Sequence, residues 1–382
     1  MSSIRLDIAS GSPASEQRER AASRRRAKSD RVVIAMSGGV DSSVAAALMV
    51  AEGFEAVGVT MRLAGSASRC CSLADADDAR RVAEKLGIRF FVANYTERFD
   101  AEVKQPFADA YLAGRTPIPC VTCNSKFKFE YLTERARVFG AETVASGHYA
   151  RIDRDPETGL RRLRCAVDVT KDQSYFLFEL GQQQLARTRF PLGEMTKPEV
   201  RTCARDLGLA TAEKPESQEI CFVPDGDYAA AVERIRPDAL PGEGDVVDAS
   251  GRVLGRHRGV HRFTVGQRRG LGIAAGEALY VTALDAERNR VVVGDRRALE
   301  ADTAEVERVS WVSGVAPAGP VKARVRIRYR HAGAEAEVTD LGGGRVRIAF
   351  AEPVRAVSPG QAAVFYAGDV VLGGGWLVGS GS

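Results

Sequence analysis

The chain has neither of the two common phosphate-binding fingerprints. It contains no G-x-x-x-x-G-K-[ST] stretch and no G-x-G-x-x-G stretch, which excludes Walker-type and Rossmann-type loops. No G-x-S-x-G or H-E-x-x-H motif occurs, so the common hydrolase and zinc-protease signatures are also absent. No apolar run is long enough to span a bilayer as a helix, and a membrane partner is not expected. Net charge is small, +4 over 382 residues, so any surface for nucleic acid must come from local patches. Cysteine is sparse: seven residues, with one C-x-x-C, do not make a secreted disulfide framework. They suit cytosolic chemistry or metal binding, and a cytoplasmic location is expected. There is no internal repeat.

What remains is an ordinary globular composition, 45% hydrophobic and 27% charged, in a chain long enough for two or three domains. Residues 1–30 differ from the rest. Arg18, Arg20, Arg24, Arg25, Arg26 and Lys28 stand among Ser, Ala and Glu without an apolar period, which predicts a disordered basic tail. Asp7, Glu16 and Glu19 argue against a transit peptide.

One stretch organises the chain: Ser37-Gly38-Gly39-Val40-Asp41-Ser42. Before it, Val32 to Met36 has the apolar pattern of a buried parallel strand. After it, Ser43 to Val50 has the pattern of a helix with small residues packed on a sheet. Strand, glycine turn and helix N-terminus together form an anion site, with Gly38 and Gly39 allowing close backbone approach. Asp41 beside phosphates needs a cation between, which implies Mg²⁺. The string resembles the pyrophosphate loop of the N-type ATP pyrophosphatases, and that resemblance implies ATP.

A second strand is predicted over Ala56 to Met61, with Met61 at the C-terminal end where open α/β sheets bind ligands. Helix Ser72–Leu86 follows, with Ser72 and Asp75 at capping-box spacing, then strand Ile88–Val92. Phe99–Leu112 is helical, kinked or broken at Pro106. The prolines of Thr116-Pro117-Ile118-Pro119 hold the chain extended ahead of Cys120 and Cys123, and a helix runs from Asn124 to Arg137. Cys123 near that helix N-terminus favours thiolate. Strand Ala141–Tyr149, a turn Asp155–Gly159 between short strands, and helices from Lys171, over Lys197–Leu207 and over Tyr228–Ile235 complete the pattern. The rhythm predicts a doubly wound parallel sheet over residues 31–214. Beyond about Pro241 helical periods vanish. A small β-rich domain is expected over 215–298 and a β-barrel over 299–382. In the latter, Lys322, Arg324, Arg326, Arg328 and Arg330 alternate with apolar residues, which would put five basic groups on one strand face and favour a polyanion.

Cys165 and Cys203 fit small buried thiols, and Cys70 and Cys71 pair with nothing at metal spacing. Cys120, Cys123 and Cys221 are predicted in polar loops. Three thiolates with one open position suit a [4Fe–4S] cluster, whereas two reactive thiols beside an adenylating loop suit persulfide chemistry equally well.

S-G-G-V-D-S, T-P-I-P-C-V-T-C-N, S-G-H-Y, K-D-Q-S-Y-F-L, E-I-C-F and T-V-G-Q-R-R-G-L-G-I occur in that order. The set resembles the tRNA-specific 2-thiouridylase family from residue 31 onward. The resemblance implies an ATP pyrophosphatase domain, a small central domain and a C-terminal β-barrel. It implies that Ala35, Met36, Ser37, Gly38, Gly39, Val40, Asp41, Ser42 and Met61 line the ATP site, with Gly147 closing on it. Cys123 would be the nucleophile and Cys221 the persulfide carrier. His148, Lys171, Asp172, Gln173, Arg328, Tyr329 and Gln361 would contact tRNA. The expected substrates are tRNAs for Lys, Glu and Gln, and the expected partner is a sulfur-donor protein or relay. Many members carry aspartate where this chain has Cys120, and the departure favours the three-cysteine cluster over the persulfide scheme.

The implied reaction is tRNA-uridine 2-sulfur transfer. The wobble uridine is flipped out, its C2 oxygen is adenylated by ATP, and sulfur from Cys221 or from a cluster displaces AMP. Two readings of other classes stand beside it: a pyrophosphatase-loop synthetase acting on a small molecule, and a non-catalytic RNA-binding protein with a decayed loop.

Overall fold

The computed structural model describes residues 31–63, 73–216, 219–273 and 277–381. The tail expected over 1–30, Cys70, Cys71 and the cap at Ser72 lie outside the described residues.

β1 (Arg31–Ala35), α1 (Val40–Ala51), β2 (Glu55–Arg62), α2 (Leu73–Leu86) and β3 (Arg89–Asn94) follow in the expected order. α3 (Thr96–Phe99), a π-helical turn Asp100–Lys104 and α4 (Gln105–Leu112) make one continuous run. Pro106 sits in the first turn of α4 and the chain is not broken there. The wider π turn just before it accommodates the missing N–H. A second continuous run comprises α5 (Pro119–Thr122), a π-helical stretch Cys123–Tyr131 and α6 (Leu132–Val138). Next come β4 (Thr143–Ser146), the hairpin β5 (Ala150–Arg154) and β6 (Arg161–Cys165), α7 (Gln182–Ala186), β7 (Thr188–Arg189), α8 (Lys197–Asp206) and α9 (Tyr228–Ile235).

The first sheet has the order β3-β2-β1-β4-β7 and is parallel throughout. Val32 and Ile34 of β1 face a core with Val44 of α1, Val82 of α2 and Val200 of α8. Val33, on the opposite face, packs with Phe99, Phe107, Phe127, Leu132, Phe222 and Val232. This is the predicted doubly wound arrangement. Its strands end at the C-terminal edge where the glycine loop begins.

β8 (Gly244–Val247), β9 (Val253–His257), β10 (Tyr280–Asp285) and β11 (Arg290–Gly294) form a small sheet with the order β10-β11-β8-β9. β12 (Glu300–Trp311), β13 (Val321–Arg326), β14 (Ala334–Gly342), β15 (Arg345–Arg355), β16 (Ala362–Ala367) and β17 (Val370–Gly381) form a barrel, closed by pairing of β12 with β17. The hairpin β5–β6 adds to this sheet through β17, not to the parallel one. Val121, Phe129, Tyr175 and Phe178 share a buried cluster with Val364, Tyr366 and Trp376 of the barrel. The Tyr175 hydroxyl donates to the Ala362 carbonyl at 2.9 Å. Each such aromatic contributes about 2–3 kcal/mol by burial, so barrel and parallel sheet are joined by a common core.

Two local expectations are corrected. No helix opens at Lys171: Asp172 Oδ1 accepts from the backbone N–H groups of Ala166 and Ser174, which turns the chain, and only a 3₁₀ turn forms over Ser174–Phe176. The five-residue basic strand face does not exist either. β13 ends at Arg326, and Arg328 and Arg330 lie in the bend and turn that follow. Lys322 and Arg324 stand opposite Glu337 and Glu335 of β14, so they have cross-strand counter-charges.

Candidate active site

The loop is built as its residues require. Gly38 has φ +72°, and a Cβ there would run into the Asp75 carbonyl oxygen. Gly39 is the N-cap of α1 with an ordinary φ of −95°, and a Cβ would meet nothing closer than Ser37 Oγ at 3.6 Å. Backbone geometry therefore demands glycine at Gly38 but not at Gly39. The Ser37 N–H donates to Ser42 Oγ at 3.1 Å, and the Ser43 hydroxyl donates to the Gly39 carbonyl at 2.8 Å. Gly147, just after β4, lies flat on this turn: a Cβ would stand 2.7 Å from both the Asp41 carbonyl carbon and the Ser42 nitrogen.

Charge at the loop comes from far along the chain. The Lys197 ammonium, on a side chain only 8% exposed, lies 2.7 and 2.9 Å from the two Asp41 carboxylate oxygens. The Tyr149 hydroxyl donates to Asp41 Oδ1 at 2.8 Å, and burial and then the Asp41 charge push its pKa up. Lys197 also meets Glu216 Oε1 at 3.0 Å, while Lys171 Nζ meets Oε2 at 2.7 Å. Burial alone would raise the Glu216 carboxyl, but the two lysines outweigh it and hold it below its ordinary value. Lys214 Nζ donates to the Gly38 carbonyl at 3.0 Å and pairs with Asp75 at 2.7 Å and Asp78 at 2.6 Å. Sequence reasoning missed Lys197, Lys214, Glu216 and Tyr149. The loop motif has no lysine of its own, and tertiary structure supplies two.

The thiols sit on the other side. The helical run starts at Pro119, in N1 geometry, so Cys120 lies in its first turn and Cys123 one turn on, rather than in an extended loop. Cys221 follows in a turn. Cys123 and Cys221 pack on the same core as Phe99, Phe127 and Phe222. The Tyr228 hydroxyl donates to Glu219 at 2.9 Å, and its pKa is pushed up to about 12 by burial, then Glu219, then the Cys120 thiol. Among the described residues no three Cys, His, Asp or Glu side chains are gathered as metal ligands are. Cys165 and Cys203 are half-buried, and burial raises the pKa of both.

All this surrounds one cavity of about 1080 Å³. Ala35, Met36, Ser37, Gly39, Val40, Asp41, Ser42, Met61, Gly147, Cys120, Cys123 and Cys221 line it, as do His148, Lys171, Asp172, Gln173 and Tyr329. Gly38, Arg328 and Gln361 do not. The Arg328 guanidinium donates to the Arg355 carbonyl at 3.2 Å on the barrel surface, and Gln361 donates to the Thr116 carbonyl at 2.9 Å. His148 is buried between Phe129 and Phe190. Its Nδ1 lies 2.8 Å from Ser146 Oγ and its Nε2 3.4 Å from Lys128 Nζ. Burial, then Lys128, holds its pKa well below 6.5, so the ring is neutral. Asp172 is buried, with its second oxygen on Ser174 Oγ at 2.9 Å and Arg326 at 3.1 Å. Gln173 Oε1 accepts from the Tyr149 N–H at 3.0 Å. These residues hold the cavity wall together as well as line it.

Comparison with known families adds to the geometry. Residues 30–225 match the family described as tRNA methyl transferase HUP domain. Residues 232–295 match the tRNA methyl transferase PRC-barrel domain, and 301–377 the aminomethyltransferase beta-barrel domain. The tRNA-specific 2-thiouridylase MnmA of Solibacter usitatus is 53% identical over 365 residues, covering 91% of this chain and 98% of that protein. The protein of the same name from Geobacter metallireducens is 52% identical, covering 91% of this chain and 96% of that one. Among solved structures, the U34-tRNA thiolase NcsA from Methanococcus maripaludis with its [4Fe-4S] cluster is 15% identical. It matches 59% of this chain and 74% of that one at a TM-score of 0.33, too remote to bear on the thiols here.

Proposed function

Because the chain belongs to the tRNA-specific 2-thiouridylase family, we propose that its cavity adenylates a tRNA uridine at C2 with ATP and replaces that oxygen by sulfur carried on Cys221. The protein is a tRNA thiouridylase. Full-length relatives carry that statement, whereas the methyl transferase wording belongs to the domain description alone. The single observation that supports the mechanism is that the glycine loop, Cys123 and Cys221 open into one cavity.

The steps follow from the groups present. ATP phosphates lie on the amides of the α1 N-terminus, where backbone donors and helix dipole favour them. Asp41 faces that site with both carboxylate oxygens on Lys197 and one also on Tyr149; if the ammonium gives way, its carboxylate would hold Mg²⁺ jointly with substrate phosphates, and the ion would neutralise charge on the departing pyrophosphate. Lys197 and Lys214 add fixed positive charge beside the loop. The uridine O2 attacks the α-phosphorus and pyrophosphate leaves. The terminal sulfur of a Cys221 persulfide attacks C2, and AMP leaves with the former O2. Cys123 thiolate attacks the Cys221 sulfur, which releases 2-thiouridine and leaves a Cys123–Cys221 disulfide. An external dithiol reduces that bond, and a sulfur-donor protein reloads Cys221. His148, Lys171, Asp172, Gln173, Tyr329, Arg328 and Gln361 are proposed to meet the tRNA, the first five at the cavity and the last two through the barrel. The wobble uridine of the tRNAs for Lys, Glu and Gln is the proposed target. No helix among the described residues is long and apolar enough to cross a membrane.

Pyrophosphate release tests the reading. It should require a tRNA with uridine at the wobble position. Exchange of label between ATP and pyrophosphate without tRNA would instead favour a small-molecule synthetase.

A further inference from the structure

Along the cavity wall a chain of charges runs from the glycine loop to the barrel. Asp41 holds Lys197 at 2.7 Å, and Lys197 holds Glu216 at 3.0 Å. Glu216 holds Lys171 at 2.7 Å. Lys171 is bonded in sequence to Asp172, which pairs with Arg326 at 3.1 Å. Arg326 is the last residue of β13, and its guanidinium lies 5.4 Å from the Tyr175 ring, 5.8 Å from Tyr329 and 5.7 Å from Tyr366. Signs alternate without a gap, and every junction is an ion pair or a peptide bond. Lys197 and Asp172 are buried and Arg326 nearly so, so bulk salt screens these links weakly. Asp41 at the loop end and Lys171 and Glu216 in the middle are each about one-third to one-quarter exposed, so solvent reaches the chain at these three groups.

We propose that Glu216 is a positioning residue that couples the two substrates: tRNA bound at the barrel side fixes Lys171 and Asp172, Glu216 fixes Lys197 in turn, and ATP meets a preorganised loop. The inference rests on the reading of ATP at the loop and tRNA at residues 171–173 and the barrel. Its sign follows from preorganisation. The Lys171–Glu216 link is partly open to solvent, so the first substrate to bind restricts that link, and through it Lys197, for the second. Linkage makes the effect reciprocal, so ATP must tighten tRNA by the same factor.

The test is a binding cycle on the full-length protein. The probes are an ATP analogue with a methylene bridge between the α- and β-phosphates, which cannot react, and a tRNA transcript with uridine at the wobble position. Calorimetry gives the Kd of each probe with and without the other. For the unmodified protein each probe is expected to tighten the other by about fivefold or more. In Glu216→Gln, which keeps the side-chain shape and removes the charge, the factor should fall below about twofold. In Arg326→Gln it should fall similarly, and the double variant should lose no more than either single one. A factor of one in the unmodified protein, or an undiminished factor in both variants, overturns the inference while leaving the thiouridylase reading intact. Failure of either probe to bind the unmodified protein overturns both. A merely structural role for Glu216 would lower the melting temperature and leave the ratio of Kd values unchanged, which also overturns it.

Discussion

Lys197 reaches Asp41 across 156 residues of chain and sets its ammonium within 2.9 Å of both carboxylate oxygens. Lys197→Met therefore leaves Asp41 and Glu216 facing each other with one cation fewer. Breaking a fully buried pair costs about 3–5 kcal/mol. Asp41 and Glu216 are 31% and 26% exposed, so the expected loss is smaller, about 1–2 kcal/mol. A urea melt measures it. Pyrophosphate release with tRNA should fall by about tenfold or more. Wild-type values for both would remove Lys197 from the site.

Neighbouring glycines should respond differently. Gly38→Ala strains a φ of +72° and drives a methyl group into the Asp75 carbonyl, and Gly147→Ala forces Gly147 off the Asp41 backbone. Both should lose nucleotide binding and stability together. Gly39→Ala meets nothing within 3.5 Å and has an ordinary φ, so its melting point should change little. If phosphates approach there as closely as proposed, its ATP affinity should still drop several-fold. A fully active Gly39→Ala enzyme would move the phosphates elsewhere.

The two sulfur schemes separate at Cys120. Under the persulfide scheme Cys120→Ser retains 2-thiouridine formation within about threefold, whereas Cys123→Ala and Cys221→Ala abolish it. Cys221→Ala should still release pyrophosphate, because adenylation precedes sulfur transfer. Iron and acid-labile sulfide in anaerobically purified protein provide the second readout. About four irons per chain, lost in Cys120→Ser along with activity, would replace the persulfide by a cluster.

His148 sets a sign for acid stability. Its pKa lies well below 6.5 in the fold, from burial and then the Lys128 charge. The unfolded chain therefore binds the extra proton first as pH falls below 6.5. The stability this residue contributes is complete above that value and is lost toward the folded pKa. Denaturant melts from pH 7.5 to 5 should show His148→Gln losing less stability than the unmodified protein. An equal or steeper loss would contradict a neutral buried ring.

Local pattern carried most of the fold. The apolar run Val32–Ile34, the glycine turn and the small-residue helix gave the loop, because a parallel strand and its helix are written in consecutive residues. Alternation beyond Pro241 gave the change to β structure. The barrel's use of the hairpin Ala150–Cys165 was invisible, since strand pairing between distant segments leaves no local trace. The helix expected from Lys171 failed because the Asp172 side chain captures backbone donors that a helix would use. The basic strand failed because Arg326 turns inward to Asp172 and the Tyr329 carbonyl, which ends the strand before Arg328. Lys197 reads only as a helix start, and Lys214 stands in no motif. Only folding shows that both end on the glycine loop.

The most direct test of the central claim is a single turnover with labelled sulfur. Cys221 is loaded as a radiolabelled persulfide, and the protein is mixed with ATP and uridine-bearing tRNA without any other sulfur source. The account predicts one labelled 2-thiouridine per pyrophosphate released, with Cys123 and Cys221 ending as a disulfide. Label that stays on the protein while pyrophosphate is released, or 2-thiouridine formed by Cys221→Ala, would contradict it.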